Sequence, residues 1–293
     1  MNTHNIESLL FICMLLSSIT TTTTSSLPPS SVTEPIPVLD DLRLNPPSAS
    51  ALIKSLRASL LENGYAHIPN FIGSSIISEL LSEVESLRHE AFRSMQEHTV
   101  FQEDIDPSLS SSHVRNMLVS SSKLIIDNAR IPPSSPLNAL YHRREFLELI
   151  RRVVAPDRSL FCSGDKFNSC YYNIYEEGDG LGWHFDNSEF GVNLVLSSPP
   201  GGGEFEISSS RTRGEGEGDE EVNVVDVLRG RRTTLRPLLS PGSLCIFAGR
   251  DFIHRVSKVQ GGGGGRINAI FTFETEEGVT MNDYGLEKFF GRR

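Results

Sequence analysis

The chain of 293 residues carries a formal net charge of −10 at pH 7, with 27 Lys and Arg against 37 Asp and Glu. A length of this order buries one substantial core and suits a single catalytic domain, and so few cations exclude a nucleic-acid groove, whose phosphates need clustered Lys and Arg. The four cysteines (Cys13, Cys162, Cys170, Cys245) form no CxxC pair and are too sparse for a disulfide scaffold, although a Cys162–Cys170 bridge is compatible with the spacing.

Residues 1–35 read as a targeting or disordered segment. Leu9 to Leu16 is a short apolar run, and Thr20 to Ser31 is almost wholly Thr, Ser and Pro. About eleven apolar-leaning residues fall short of a bilayer, so no stable membrane span is expected. The apolar length suits a cleaved secretory signal and the Ser/Thr richness a plastid segment. Against both, the preceding residues lack Lys and Arg and include Glu7. Localisation stays open between the secretory pathway, a plastid and the cytoplasm.

Residues 36–155 read as a helical support region. Leu52, Leu56 and Leu60 recur at a turn's spacing, with Gly64 as the stop. A short extended piece, Tyr65 to Pro69, follows. Ile76, Ile77, Leu80, Leu81, Val84, Leu87 and Ala91 trace one face of a long helix, with Ser74 or Ser75 as its N-cap. Asp104 to Pro136 is polar and Pro/Ser-rich, broken by one apolar run at Lys123 to Ile126. A single third helix fits Pro136 to Val154.

Beyond Pro156 the pattern changes to short strands with Gly- and Pro-rich turns. The candidates are Cys170–Tyr175, His184–Asn187, Val192–Leu196, Glu204–Ile207, Ser243–Phe247, His254–Val259 and Arg266–Phe273. Short strands so spaced predict a jelly-roll over residues 156–293, within an α+β chain whose N-terminal helices support the sheet. Cys245 sits in an apolar strand as a small hydrophobe. Ser208 to Glu221 and the five glycines from Gly261 to Gly265 read as dispensable loop decoration. The glycine run lacks the GK[ST] ending of a phosphate loop.

Chemistry concentrates in Trp183-His184-Phe185-Asp186-Asn187. On a strand, His184 and Asp186 share a face, and His254, opening a later strand, completes a set of two imidazoles and one carboxylate. Such a set holds one face of an octahedral Fe(II) and leaves positions for a chelating co-substrate and O2. Arg266, Asn268, Ile270 and Thr272 share the inward face of the last strand, with Ile267, Ala269, Phe271 and Phe273 packed outside. A guanidinium on an inner wall needs an anion, and a carboxylate suits its fork. Trp183 points away from His184 and reads as packing. His4, His67, His89, His98, His113 and His142 lie in no comparable strand context and read as ordinary surface or core residues.

The run Asn173-Ile174-Tyr175 through Gly178-Asp179-Gly180-Leu181-Gly182-Trp183-His184-Phe185-Asp186, with Gly202-Gly203-Glu204, Pro241-Gly242-Ser243 and Gly249 to Val256, resembles the Fe(II)/2-oxoglutarate-dependent oxygenases. It is most similar to the branch of free-amino-acid halogenases and their hydroxylating relatives, over roughly Phe167 to Phe273. The resemblance implies a double-stranded β-helix with Fe(II) on His184, Asp186 and His254. It also implies Arg266 on the far carboxylate of 2-oxoglutarate, and Asn173 and Tyr175 beside that co-substrate. Halogenases of this branch have a small residue where Asp186 stands, so hydroxylation is the expected outcome. The expected reaction hydroxylates an unactivated C–H bond of a small amino-acid-like molecule and releases succinate and CO2. Asn187 is the candidate substrate contact. Two other readings remain: a prolyl- or lysyl-type hydroxylase of protein side chains, and a non-catalytic metal-binding jelly-roll sensor.

Overall fold

Leucines spaced one turn apart start the chain as helices. In this computed structural model, which describes residues 35–44, 46–214, 217–281 and 283–291, they form α1 (Pro37–Leu44) and α2 (Pro46–Asn63). The apolar run and the Ser/Thr stretch of the N-terminal segment lie outside the described residues. Gly64, at φ +75°, ends α2 in a conformation that favours glycine, with the Phe252 ring against its α-carbon. β1 (Tyr65–Ile68) follows, then α3 (Ser74–Leu87), which buries Ile76, Leu80 and Val84. Gly73 occupies the cap position of α3 with no side-chain bond, so neither Ser74 nor Ser75 caps it. The helix stops short of Ala91.

Residues 36–155 are not wholly helical. Besides β1 they supply β2 (Phe92–Thr99) and β3 (Leu118–Ile126), which pair with each other antiparallel. Both strands bury polar residues (Ser94, His98, Ser121 and Lys123), so an apolar period-two pattern is missing from the sequence. The stretch from Pro136 divides into α4 (Pro136–Tyr141) and α5 (Arg144–Val154). The break turns two rings onto the sheet. Tyr141 meets Phe273 at 5.2 Å and Phe146 meets Phe271 at 5.0 Å between centroids. Burying each ring is worth roughly 1.5–3 kcal/mol.

The remaining elements are β4 (Phe161–Cys162), β5 (Cys170–Tyr175), β6 (Leu181–His184), β7 (Gly191–Ser197), β8 (Phe205–Ser208), α6 (Glu217–Leu228), β9 (Thr234–Leu235), β10 (Leu244–Phe247), β11 (His254–Val256), β12 (Arg266–Phe271), β13 (Phe273–Glu274) and α7 (Asp283–Phe290). A seven-stranded sheet runs β1-β10-β7-β12-β5-β3-β2 and a four-stranded sheet runs β6-β11-β8-β9. Their pairings are antiparallel, so the class is α+β with antiparallel sheets. The helices cover one face of the larger sheet through Ile174, Leu194, Ala269 and Phe271. Its other face, with Asn173, Asn193 and Asn268, lines a cavity shared with the smaller sheet. Cys162 and Cys170 are free thiols, so no bridge joins them, and Cys245 is buried as expected. No helix among the described residues is long and apolar enough to cross a membrane.

Ser208 to Glu221 is more than loop decoration. It leads into α6, whose Val224 and Val227 pack with Val100, Phe101, Trp183, Phe185 and Ile253 in a second core. Thr212 is fully buried. Its hydroxyl donates to the Asp251 carbonyl at 3.2 Å and accepts from the Ile253 N–H at 2.9 Å, one residue before His254. Deleting the segment therefore removes a support of β11. The finer variant Thr212→Val, which strands the Ile253 N–H, is expected to lower stability by about 1–3 kcal/mol in urea unfolding. The glycines from Gly261 to Gly264 are exposed in a turn, as their composition requires.

Candidate metal centre

β6 ends at His184 and β11 begins at His254, and their register sets the two histidines opposite each other, rings 4.2 Å apart. Asp186 lies past the end of β6, so the expected strand His184–Asn187 does not form and strand alternation does not aim the carboxylate. A backbone bond does. The Asp186 N–H donates to the Gly249 carbonyl at 2.9 Å, and the turn brings Oδ1 to 3.3 Å from His184 Nε2 and Oδ2 to 3.5 Å from His254 Nε2. One ligand atom from each residue lies within 4.8 Å of the others.

The protons on these rings follow from their partners. His184 Nδ1 is 2.8 Å from the Gly182 carbonyl and His254 Nδ1 is 3.0 Å from the Phe252 carbonyl. A carbonyl only accepts, so each Nδ1–H donates and each Nε2 keeps its lone pair toward Asp186. Burial, reinforced by nearby His254, pushes His184 down to about 4, which keeps the ring neutral at pH 7. Three electron-pair donors thus converge in a buried site. The set suits a divalent cation with open coordination positions.

Gly249 makes room for the carboxylate. A β-carbon there would meet Asp186 Oδ2 at 2.2 Å. Gly249→Ala is expected to displace Asp186 and weaken Fe(II) binding about tenfold or more, the range of altered metal support, while leaving the melting temperature nearly unchanged. Metal titration and thermal unfolding together check this.

His98, an ordinary residue by its sequence context, buttresses the centre. Its Nδ1–H donates to the Thr99 carbonyl, and its Nε2 accepts from the Ser121 hydroxyl at 2.7 Å. Ser121 Oγ in turn accepts the Gly182 N–H at 3.0 Å, and the Gly182 carbonyl holds His184. No sequence pattern signals this chain, because β2 and β3 had no recognisable strand period.

Arg266 is 3% exposed and stands opposite Tyr175 on β5. One Nη1–H donates to the Gly203 carbonyl at 3.1 Å, while Nε and Nη2 are buried without a partner. A buried guanidinium with idle donors is costly unless an anion completes it. Tyr175 is buried beside it and stays protonated. Asn173 and Asn268 face each other across β5 and β12, and each leaves a buried Oδ1 free. Asn173, Tyr175 and Asn268 line a cavity of about 450 Å³ that also holds His184, Asp186 and His254; Arg266 pairs with the lining residue Tyr175 across β12 and β5. Asn187 sits exposed at the rim, where its carbonyl accepts from Arg250 at 2.7 Å. Trp183 packs in the second core under the Arg255 guanidinium, as its strand phase predicted.

Comparison with known proteins adds a family. The profile of the family described as Halogenase D matches residues 48–284. No curated protein matches the chain in sequence. Among solved structures, AviO1 from Streptomyces viridochromogenes Tue57 is similar with a TM-score of 0.53 at 15% identity, covering 78% of this chain and 97% of that one. HygX from Streptomyces hygroscopicus, solved with nickel, 2-oxoglutarate and hygromycin B, gives 0.52 at 14% identity over 76% and 88% of the two chains. A prolyl hydroxylase from Trichoplax adhaerens, in complex with a hypoxia inducible factor peptide fragment, gives 0.50 at 17% over 82% and 93%. At these identities the likeness shows a shared fold.

Proposed function

The chain belongs to the Halogenase D family, and from that premise we propose that it is an Fe(II)- and 2-oxoglutarate-dependent dioxygenase that hydroxylates an unactivated C–H bond of a small, amino-acid-like molecule. Strands β5 to β12 read as the eight strands of a double-stranded β-helix, with β1, β2 and β3 widening the larger sheet. The observation that carries the reading is the intact His184–Asp186–His254 set beside a buried arginine with idle donors.

His184, Asp186 and His254 would hold Fe(II) through Nε2, a carboxylate oxygen and Nε2. Bound Fe(II) with 2-oxoglutarate supplies the O2 activation that converts a C–H bond to C–OH, with succinate and CO2 as co-products. The chain's own residues set the conditions. Arg266 offers its Nε and Nη2 donors to the far carboxylate of 2-oxoglutarate, and Tyr175 and Asn173 flank that position. Phe205 and Phe247 pack on His254, at 5.8 and 4.9 Å between ring centroids, and shield the ligand from water. Asn187, exposed among the residues lining the cavity, would meet the substrate.

Asp186 decides between hydroxylation and halogenation. With its carboxylate as third protein ligand, no position is vacated for chloride. The test is product mass from protein incubated with Fe(II), 2-oxoglutarate and amino acids in chloride buffer. A gain of one oxygen is expected; a chlorinated product from the unmodified protein would overturn the hydroxylase assignment. The cavity, lined on one side by Val279, Thr280, Met281 and the α7 residues Phe289 and Phe290, suits a small molecule better than a polypeptide side chain.

A further inference from the structure

Phe185 and Phe190 are both anchored, but in different cores. The Phe185 N–H donates to the Val100 carbonyl at 2.9 Å and its ring lies in the second core, whereas Phe190 packs in the main one. Between them, Asp186 to Glu189 cross outside any strand and carry the carboxylate ligand. The two histidines are fixed by strands and by their Nδ1–carbonyl bonds. Asp186 has neither support. Among the described residues, its carboxylate has no polar partner besides the two histidine rings, and its side chain is 27% exposed against 4% for each of theirs. A metal-binding carboxylate is ordinarily held by hydrogen-bond donors of its own. Here the backbone must do the holding.

Two consecutive residues hold that backbone. Gly249 offers its carbonyl to the Asp186 N–H at 2.9 Å. Arg250 then reaches across the loop: its Nη2–H donates to the Asn187 carbonyl at 2.7 Å and its Nε–H to the same oxygen at 3.2 Å. One bond lies before the Asp186 α-carbon and the other beyond it, so together they fix the direction in which the side chain leaves. Arg250 Nη1 also stands 3.6 Å from Glu189, which Arg158 holds, and Glu274 feels the same charge. Ion pairs so exposed contribute little. A fork of charged donors on one carbonyl is the stronger tie.

Resting on the metal-centre reading above, we infer that Arg250 is a positioning residue: through the Asn187 carbonyl it keeps the Asp186 carboxylate on the metal, and so keeps that coordination position closed to small anions. The choice between oxygen and halide assigned to Asp186 then depends on a side chain far along the sequence. Without Arg250 the loop still runs between its two anchored rings, but the carboxylate swings and the position opens part of the time. The sign of the effect separates this role from the plain charge of Arg250, which lines the cavity. Removing a cation from the lining weakens an anion that binds there. An anion that binds more tightly means that the competing carboxylate has been loosened.

The test uses the full chain loaded with Co(II), whose visible absorption reports the coordination sphere, and titrates it with azide and with chloride. Arg250→Ala is expected to bind azide about tenfold more tightly than the unmodified protein and Co(II) about tenfold more weakly, the range for a lost support of a metal ligand. Arg250→Lys, which keeps a charged donor but loses the fork, should restore part of both. Asp186→Ala opens the position outright, so adding Arg250→Ala to it should leave azide affinity unchanged or lower it. The Arg250 side chain is 45% exposed, and melting temperatures should stay nearly unchanged. Should Arg250→Ala melt early, Arg250→Met, which keeps the packing of the stem and offers no donor, replaces it in every comparison. Azide affinity that is unchanged or weaker in the variant would overturn the inference. So would an equal gain from Arg250→Ala in the Asp186→Ala background. In both cases Co(II) binding by the unmodified protein still upholds the metal centre; if that binding is missing, the centre itself falls and the inference with it.

Discussion

Replacing His184 or His254 with alanine is expected to abolish 2-oxoglutarate turnover and to weaken Fe(II) binding by roughly a hundredfold or more, since two protein ligands rarely hold Fe(II) in water. Each variant leaves one imidazole and Asp186, with a gap where an Nε2 lone pair stood. The fold should persist. The neighbours of His184 in sequence, Trp183 and Phe185, are anchored in the second core and do not depend on its ring. Turnover assayed by succinate release, with metal content of the purified variants, checks both parts. Normal activity in either variant would remove the triad from the mechanism.

Arg266→Ala should act on the co-substrate and leave metal binding intact. The guanidinium holds one backbone carbonyl and keeps two idle donors, so on the proposed assignment its removal should strand the far carboxylate of 2-oxoglutarate. A loss of about 2–5 kcal/mol is expected, seen as a rise in KM for 2-oxoglutarate of at least about thirtyfold. Arg266→Lys should fall between, because a point charge keeps the attraction but loses the fork. Protein stability without ligand should hold or rise, since an unpaired buried charge has been taken away. An unchanged KM would mean that another cation holds the carboxylate, and Lys123 would be the one to examine.

The cluster of His184, Asp186 and His254 was more legible in the sequence than the scaffold around it. His184, Asp186 and His254 announced themselves by residue type and spacing, and β12 by an alternation that sends Arg266 and Asn268 one way and Ala269 and Phe271 the other. That alternation survives because β12 lies between two strands, with opposite surroundings on its two faces. β2 and β3 left no such trace. Their inward positions carry His98, Ser121 and Lys123, and a polar residue facing a cavity looks in sequence like one facing water. The short distance between His184 and Asp186 in the chain suggests strand geometry, yet convergence comes from Gly249, far along the chain. α6 was hidden for another reason. Its apolar half, Val222 to Leu228, follows a Gly- and Glu-rich run that dominates the local composition.

Trp183 gives the protein a built-in optical reporter. It is the single tryptophan of the chain, it directly precedes a metal ligand, and it lies beneath a guanidinium 4.7 Å from its ring in the core that α6 closes. Indole emission in this protein therefore samples one small region, the outer face of the sheet that carries His184 and His254. Circular dichroism averages over every helix and sheet. If the second core opens before the main one, the fluorescence transition will precede the dichroic one along a denaturant gradient. Added metal that braces β6 against β11 should then draw the two curves together.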